Sequence, residues 1–539
     1  MAKKLKAIDL YSGIGGWTLG LKMAGIQIVN SYEWWSVANE THNNNFGTNT
    51  PETDIRRLEL SDLPDGINIV VGSPPCTQFS FSNRGGKGDI ADGLKDIEKF
   101  LKIVEHYKSK GTLKYWAMEN VPRVSEILKR EIKPGGQLNK YAKLINVNKV
   151  INSAEYGLPQ RRKRMIAGDF PKAYFEEYRN QFTAPTLGQV IESLKSKTIV
   201  DINYETELDK KKLTDHVQEK LLTPEEKRIN EAQKKFHTVY NKMNFPDLEN
   251  TTSRTITATC TRVSRESVIV KAGRGGFRRL TIRERATLQG FPISYQFYGK
   301  TYSNRLKMIG NAIPPLLTYF IGSAMLERGL KYVNPRTKLK FHHKLPLVKH
   351  MNVKPERNAK KYSKKRLFRF SIRPLRFGSG VGFELRNKIQ KIDTRWSIRY
   401  FHGSSKAIKE IPLQKRLHTS CLKLLKSLEF DPNLDELMKK VSGFLENYTG
   451  QTIQSAWTHT PDSSVDSHPF FLLDELEAVS ESLYDRIKDL ENEDISIFVL
   501  RLHSMNPDVP NGFTKKIMVN AHRIFIGFLI GSWFNSKTK

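Results

Sequence analysis

Short apolar runs separated by longer amphipathic stretches fill the first third of the chain. Residues 6–10, 27–29, 68–71 and 115–118 read as strands, each ending in a turn rich in Gly, Pro or Asn, and residues 17–24 have helical spacing. Strands alternating with helices describe an α/β fold, a doubly wound and mostly parallel sheet, whose ligands sit beyond the carboxyl ends of the strands. Residues 171–276 change character. They are rich in Lys and Glu, weakly patterned, and finish in the alternating stretch Thr255-Ile-Thr-Ala-Thr-Cys-Thr, which predicts an inserted, partly β, small domain. A helical pattern resumes at Arg279, and residues 309–324 read as a turn leading into a buried helix. Residues 340–376 then hold thirteen Lys or Arg against the single acidic Glu356, and residues 377–539 return to helical patterning at 435–448 and 469–489. No repeat of 20–50 residues points to a solenoid or propeller. The expected organisation is a main domain over 1–170 and 277–333, an insert over 171–276, a basic linker over 334–376 and a separate α-rich accessory domain over 377–539.

Composition narrows the class. Lys and Arg number 88 against 56 Asp and Glu in 539 residues, a net charge of +32 that predicts a polyanionic partner, most simply nucleic acid. With 38% hydrophobic residues the chain can bury cores, which excludes wholesale disorder. The longest apolar run, residues 524–534, falls short of the roughly 20 residues a membrane helix needs. Three cysteines give neither a disulfide framework nor a CxxC zinc pattern, so no metal is expected, and the N-terminus lacks the apolar segment of a signal peptide. A reducing cytoplasm is the expected setting.

Four segments carry candidate chemistry. In Gly72-Ser-Pro-Pro-Cys76-Thr-Gln-Phe-Ser80, two prolines fix the path of the chain as it leaves a strand, placing Cys76 at the sheet edge as either a nucleophile or an apolar filler. Glu119-Asn-Val-Pro also follows a strand and offers a carboxylate for acid–base or hydrogen-bonding work. Gln160-Arg-Arg-Lys-Arg164 is either an exposed basic strand or a clamp that holds substrate and lowers a thiol pKa. The turn Asp9-Leu-Tyr-Ser-Gly-Ile-Gly-Gly16 lacks full G-x-G-x-x-G spacing, yet its glycines permit close approach of a ligand to a helix N-terminus; Glu33, after the second strand, suits ribose hydroxyls.

Taken in order, these segments resemble the motifs of the DNA (cytosine-5) methyltransferases of bacteria and their viruses. Two further segments extend the match, Arg283-Glu-Arg-Ala-Thr-Leu-Gln-Gly-Phe-Pro292 and Gly310-Asn-Ala-Ile-Pro-Pro315, so that the resemblance runs from Asp9 to Pro315. Departures are small: Tyr11 stands where Phe is usual, Thr77 where Gln is common, and the Ser-Pro-Pro lead-in is shared with some eukaryotic relatives. The resemblance implies the S-adenosyl-L-methionine-dependent methyltransferase fold and methyl transfer to carbon 5 of a flipped-out cytosine in a specific duplex DNA sequence. It implies Cys76 as nucleophile, Glu119 and Arg164 on the base, and Arg162 near backbone phosphate. The cofactor would lie against Tyr11, Gly13, Gly15, Glu33, Trp34, Asp54, Ile55, Pro75 and Asn311. Arg84 and Lys87 would meet DNA from a moving loop, and Arg254, Arg262, Arg265 and Arg274 become candidates for base or phosphate contacts in the recognition segment 171–276. It further implies a restriction-modification or related defence role, possible pairing with a restriction protein, a monomer and a cytoplasmic, nucleoid-associated location. The competing readings are an RNA cytosine-5 methyltransferase of the same fold, whose Cys-Phe-Thr signature Thr259-Cys-Thr matches only superficially, and a catalytically inactive DNA-binding scaffold, which has no use for Cys76, Glu119 and Arg164 together. A fused nuclease finds no supporting metal-ligand spacing in 377–539. The segment 340–376 is expected to grip phosphate non-specifically or to be a solvated linker.

Overall fold

The structure, a computed structural model, describes residues 4–79, 88–213, 219–235, 243–334, 363–376, 381–390, 394–404, 407–458, 468–490, 492–504 and 512–538. The chain divides into two compact units, Met1–Glu226 with Asn244–Pro355 and Lys227–Met243 with Glu356–Lys539.

In the first unit β1 (Lys6–Leu10), α1 (Gly16–Ala24), β2 (Gln27–Tyr32), α2 (Ser36–Phe46), β3 (Ile69–Gly72), α3 (Ile90–Ser109), β4 (Tyr115–Asn120), α4 (Arg123–Glu131), β5 (Val147–Asn152), β6 (Gln160–Arg161) and β7 (Lys163–Asp169) follow one another. Six of the strands form one sheet in the order β2-β1-β3-β4-β7-β5. β1 to β4 are parallel, and β7 runs antiparallel to both its neighbours. Strand β3 is buried on both faces and so reads as an unbroken apolar run: Ile69 and Val71 join the core under α1, while Val70 joins the core under α3. Helix α3 turns Leu94, Ile97, Leu101 and Val104 to that second core, and Asp89 caps it by accepting the Asp92 N–H at 3.1 Å. Because the chain passes from β1 to β2 on one side and then crosses to β3 on the other, a crevice opens above the carboxyl ends of β1 and β3.

The insert contributes α5 (Lys172–Glu177), α6 (Leu187–Ser193), the antiparallel pair β8 (Thr198–Val200) and β9 (Glu207–Asp209), α7 (Pro224–Lys235), β10 (Ser253–Arg254), and the antiparallel pair β11 (Ile269–Lys271) and β12 (Phe277–Arg279). α8 (Ile282–Leu288), α9 (Tyr302–Asn311) and α10 (Pro315–Met325) complete the unit, and every residue of α10 is buried. The alternating stretch after Arg254 is not a strand. Only β10 pairs, with β6, and then side chains take over from the ladder: the Ile256 N–H donates to Gln160 Oε1 at 2.7 Å and Thr255 Oγ1 donates to the Arg161 carbonyl at 2.9 Å. Nor does the whole of 171–276 form one unit, since residues 227–243 group with the C-terminal part of the chain.

That second unit opens with an antiparallel sheet, β13 (Arg369–Ser371), β14 (Val381–Ile389), β15 (Thr394–Ser404) and β16 (Ala407–Ile411), paired in sequence order. Among the described residues eight helices follow: α11 (Lys415–Ser427), α12 (Leu434–Leu437), α13 (Lys439–Asn447), α14 (Gly450–Thr458), α15 (Pro469–Ile487), α16 (Asn492–Leu502), α17 (Gly512–Val519) and α18 (Ala521–Lys537). The region is mostly helical, but the sheet was not foreseen, and the end of the expected basic linker belongs to it: Phe368, Ile372 and Leu375 are buried in the unit's core because apolar residues alternate there with Arg. The apolar run at 524–534 is a stretch of α18 buried on all sides rather than a span, and among the described residues no helix is long and apolar enough to cross a membrane. Helix α7 brings Arg228 and Glu231 into this unit. Arg228 lies 4.9 Å from the Phe470 ring and pairs with Asp474 and Glu477, and Arg373 pairs with both Glu231, at 3.2 Å, and Glu477.

Candidate active site

Cys76 leaves the crevice edge immediately after β3. Gly72 ends that strand where a Cβ would overlap the Leu10 carbonyl of β1, so glycine is required for the strands to close up. The Pro-Pro segment is then held from two sides: Asn120 Nδ2, at the end of β4, donates to the Pro74 carbonyl at 3.0 Å, and Trp17 Nε1 donates to Ser73 Oγ at 3.1 Å. A turn, Phe79 N–H to Cys76 carbonyl at 3.0 Å, leaves the thiol half-buried. Burial pushes the Cys76 thiol up from its ordinary value; Arg164 and Arg162 oppose that, and Glu119 adds to it. Burial thus favours the neutral thiol, and Arg164 is the group that most favours the thiolate.

Glu119 and Arg164 face each other from adjacent antiparallel strands. Arg164 Nε lies 2.9 Å from Glu119 Oε1, and both side chains are largely buried, at 14% and 6% exposure. A planar guanidinium fixed to one carboxylate oxygen leaves the other oxygen directed by its partner. Arg162, two residues earlier, does something else. Its side chain is fully buried, and its guanidinium donates to the carbonyls of Ile256 at 3.0 Å, Gly310 at 2.9 Å and Ala312 at 3.2 Å. The expected phosphate contact is thus corrected: Arg162 staples the recognition segment and the Gly310–Pro315 turn to the catalytic sheet. Gln160 works beside it, accepting the Ile256 N–H and donating to the Leu288 carbonyl and to Gln289 Oε1, while Gln289 donates to the Ala312 carbonyl. The sequence alone assigns no separate role to Gln160, Gln289, Trp17 or Asn120. The available signal was a period of two, which turns Gln160, Arg162 and Arg164 inward and leaves Arg161 and Lys163 exposed.

The glycine turn after β1 closes the other side of the crevice. Tyr11 (φ 54°), Gly13 (φ 55°) and Gly15 (φ 86°) are all left-handed, and α1 starts at Gly16. A Cβ on Gly13 would meet nothing, so that glycine faces open space, whereas one on Gly16 would overlap the Ile313 carbonyl. Glu33 secures the turn: its Oε2 accepts the Gly13 N–H at 2.8 Å and its Oε1 the Trp35 N–H at 2.7 Å, and burial raises its pKa. Behind it Asp9 is wholly buried, accepts from Thr18 N–H and Oγ1 at 3.1 and 2.8 Å, and is pushed up to about 7 by burial. Trp34, next to Glu33, is 63% exposed, an uncovered indole face beside a buried carboxylate. The Tyr11 hydroxyl reaches Asp96, which Arg56 holds at 2.6 Å. Asp54 is half-exposed near Arg57, Ile55 is buried in the core, Pro75 is half-buried, and Asn311 is exposed at the end of α9.

The recognition-segment arginines are largely engaged within the fold. Arg254 pairs with Asp247 at 2.5 Å and donates to the Glu266 and Ser267 carbonyls, and Arg262 pairs with Glu226 at 2.7 Å and Glu219 at 3.5 Å. These two are corrected from DNA contacts to framework ties, because acidic neighbours in the insert neutralise them. Arg265 lies 3.4 Å from Glu266; Arg274 is in the turn Gly273–Gly275, with its side chain outside the described residues, as are Arg84 and Lys87 entirely. Among the described residues no group of three His, Cys, Asp or Glu is placed to hold a metal ion.

Residues 5–327 match the family profile of the C-5 cytosine-specific DNA methylases. The chain is 28% identical over 351 residues to the type II methyltransferase M.NgoPII of Neisseria gonorrhoeae, covering 60% of this chain and 97% of that one. It is 29% identical over 338 residues to the type II methyltransferase M.HaeII of Haemophilus aegyptius, covering 60% and 93%. A crystal structure of a putative DNA modification methyltransferase encoded within a prophage of E. coli aligns with 60% of this chain and 100% of its own, at 19% identity and a TM-score of 0.43.

Proposed function

This chain belongs to the C-5 cytosine-specific DNA methylase family, and on that premise we propose how its own residues carry the reaction. It is a DNA cytosine-5 methyltransferase dependent on S-adenosyl-L-methionine, and DNA is its substrate. The crevice residues fit that cofactor: an open left-handed Gly13 at a helix N-terminus, the buried Glu33 carboxylate for ribose hydroxyls, and the uncovered Trp34 ring for the adenine. When bound, the cofactor supplies an electrophilic methyl group.

Carbon 5 of cytosine is too weak a nucleophile to accept that group unaided. Cys76 gives up its proton to water as the base enters, and its thiolate adds to carbon 6, forming the C–S bond as the carbon 5–carbon 6 double bond opens and places an electron pair on carbon 5. Glu119 holds a proton at ring nitrogen 3, where negative charge otherwise accumulates. Arg164 orients Glu119 and steadies the thiolate. After carbon 5 has taken the methyl group, its proton passes to water, the C–S bond breaks, and the double bond re-forms with Cys76 released. The reacting carbon is unreachable inside a stacked duplex, so the target cytosine is extruded, a mode for which methyltransferases are a standing example. The single observation that carries these roles is the convergence of Cys76, Glu119 and Arg164, whose charges act on one another at the ends of neighbouring strands.

The relatives' names as type II methyltransferases support a place in a restriction-modification system, with a cognate nuclease as partner. We place the protein in the cytoplasm, at the nucleoid, as a monomer. The test is transfer of a labelled methyl group to duplex DNA and to tRNA in parallel, followed by sequence-resolved mapping of 5-methylcytosine. The expected result is 5-methylcytosine at one recurring DNA sequence; methylation of tRNA with none in DNA contradicts it.

A further inference from the structure

Beyond the family match, the second unit presents a solvent-facing sheet with an unusual charge pattern. The register turns Phe383, Leu385, Trp396, Ile398 and Tyr400 into the core, so the alternate residues of β14 and β15 share the opposite face. On that face Lys388 stands directly opposite Arg395, and Arg369 of β13 directly opposite Arg386. Like charges directly opposed on a sheet are destabilising; Arg369 and Arg386 are each offset by a carboxylate, whereas among the described residues no carboxylate pairs with Lys388 or Arg395. Lys388 and Arg395 are exposed, and the Arg369 side chain is 60% exposed.

The same face also has fixed donors. Buried Glu384 holds Arg369 and Arg399, each at 2.8 Å, and Glu410 holds Arg386 at 3.1 Å and Arg399 at 3.3 Å. Two carboxylates thus orient three guanidinium groups and still leave an excess of three positive charges among the five basic residues of the face. Arg399 lies 5.0 Å from the ring of Phe401, a partly exposed aromatic opposite Gly382. Oriented arginines on an open antiparallel sheet suit a polyanion with evenly spaced phosphates.

We propose that this face of β13–β16 is a second DNA-binding surface, which grips the phosphate backbone of the duplex without reading its sequence. The occupant is duplex DNA for two reasons: the charge is complementary, and DNA is already this chain's substrate. The inference rests on the methyltransferase reading only for the identity of the polyanion.

The experiment is equilibrium binding of full-length protein to a duplex of arbitrary sequence across a salt series, comparing wild type with Lys388→Glu/Arg395→Glu. Affinity is expected to fall about tenfold or more, with the log–log salt slope reduced by about 2, since each phosphate contact contributes about 0.9. Lys388→Arg/Arg395→Lys keeps the charge and should retain the wild-type slope, which separates loss of contact from loss of fold. Methyl transfer at saturating DNA should stay within about twofold of wild type. An unchanged affinity and slope in the charge-reversed protein, with methylation intact, overturns the surface and leaves the enzyme standing. Tighter binding of RNA of equal length through these residues overturns the choice of occupant. Absence of DNA methylation by wild type would instead overturn the enzymatic reading.

Discussion

Cys76→Ala abolishes methyl transfer, lowering the rate at saturating substrate by at least about 10⁴-fold, the scale on which loss of a covalent nucleophile acts. The expectation follows from position as much as from chemistry. Cys76 lies outside the main sheet, anchored through the preceding Ser73 and Pro74 by Trp17 and Asn120, and fills no core that alanine would empty. Cofactor affinity, measured by calorimetry, should therefore remain within about twofold, because the glycine turn and Glu33 are fixed independently of the thiol. Residual turnover above about 1% of wild type would remove the thiol from the covalent step.

Arg162→Met has the second-largest effect, and it falls on stability. The buried Ile256 and Gly310 carbonyls lose the Arg162 donor together, and Ala312 is left with Gln289 alone, at a cost on the order of 3–5 kcal/mol for a broken buried network. The loss should be local: amide hydrogen exchange should accelerate first around residues 256–260 and 309–313, where the recognition segment meets the catalytic sheet. Arg162→Lys keeps one donor and should be intermediate. The opposite pattern, wild-type protection with weaker DNA binding and a salt slope smaller by about 1, would restore the phosphate contact that sequence reading assigned to this arginine.

Much of the catalytic unit was legible in the chain. β1, β3 and β4 are buried parallel strands that read as apolar runs closed by turn residues, and the chemistry sits at their ends, where a doubly wound sheet exposes it. Composition hid the rest. In Gln160-Arg-Arg-Lys-Arg164 four consecutive basic residues look like one exposed strand, yet the pleat sends Arg162 into the core and Lys163 to solvent. In the second unit the alternation of Trp396, Ile398 and Tyr400 with Arg395, Ser397 and Arg399 marks a strand plainly, but the helical patterns at 435–448 and 469–489 make the whole of 377–539 read as α-rich. Arg254 and Arg262 read as DNA contacts because nothing in the sequence pairs them with their acidic partners: Asp247 is seven residues from Arg254 across an irregular segment, and Glu226 is 36 residues from Arg262. Helix α7 has Arg and Glu on a surface-like sequence, and its placement in the other unit depends on partners more than 140 residues away.

The central claim is that Cys76 bonds to carbon 6 of cytosine while carbon 5 receives the methyl group. It is tested most directly with a duplex carrying 5-fluorocytosine at the mapped target position. Fluorine leaves carbon 5 with no proton to lose, so the C–S bond cannot break after methylation and the complex should persist through denaturation. Peptide mass analysis is expected to find the nucleotide, methylated once, on Cys76. Methylation of the normal duplex at full rate with no cofactor-dependent adduct on the fluorinated one, or with the adduct on another residue, would contradict it.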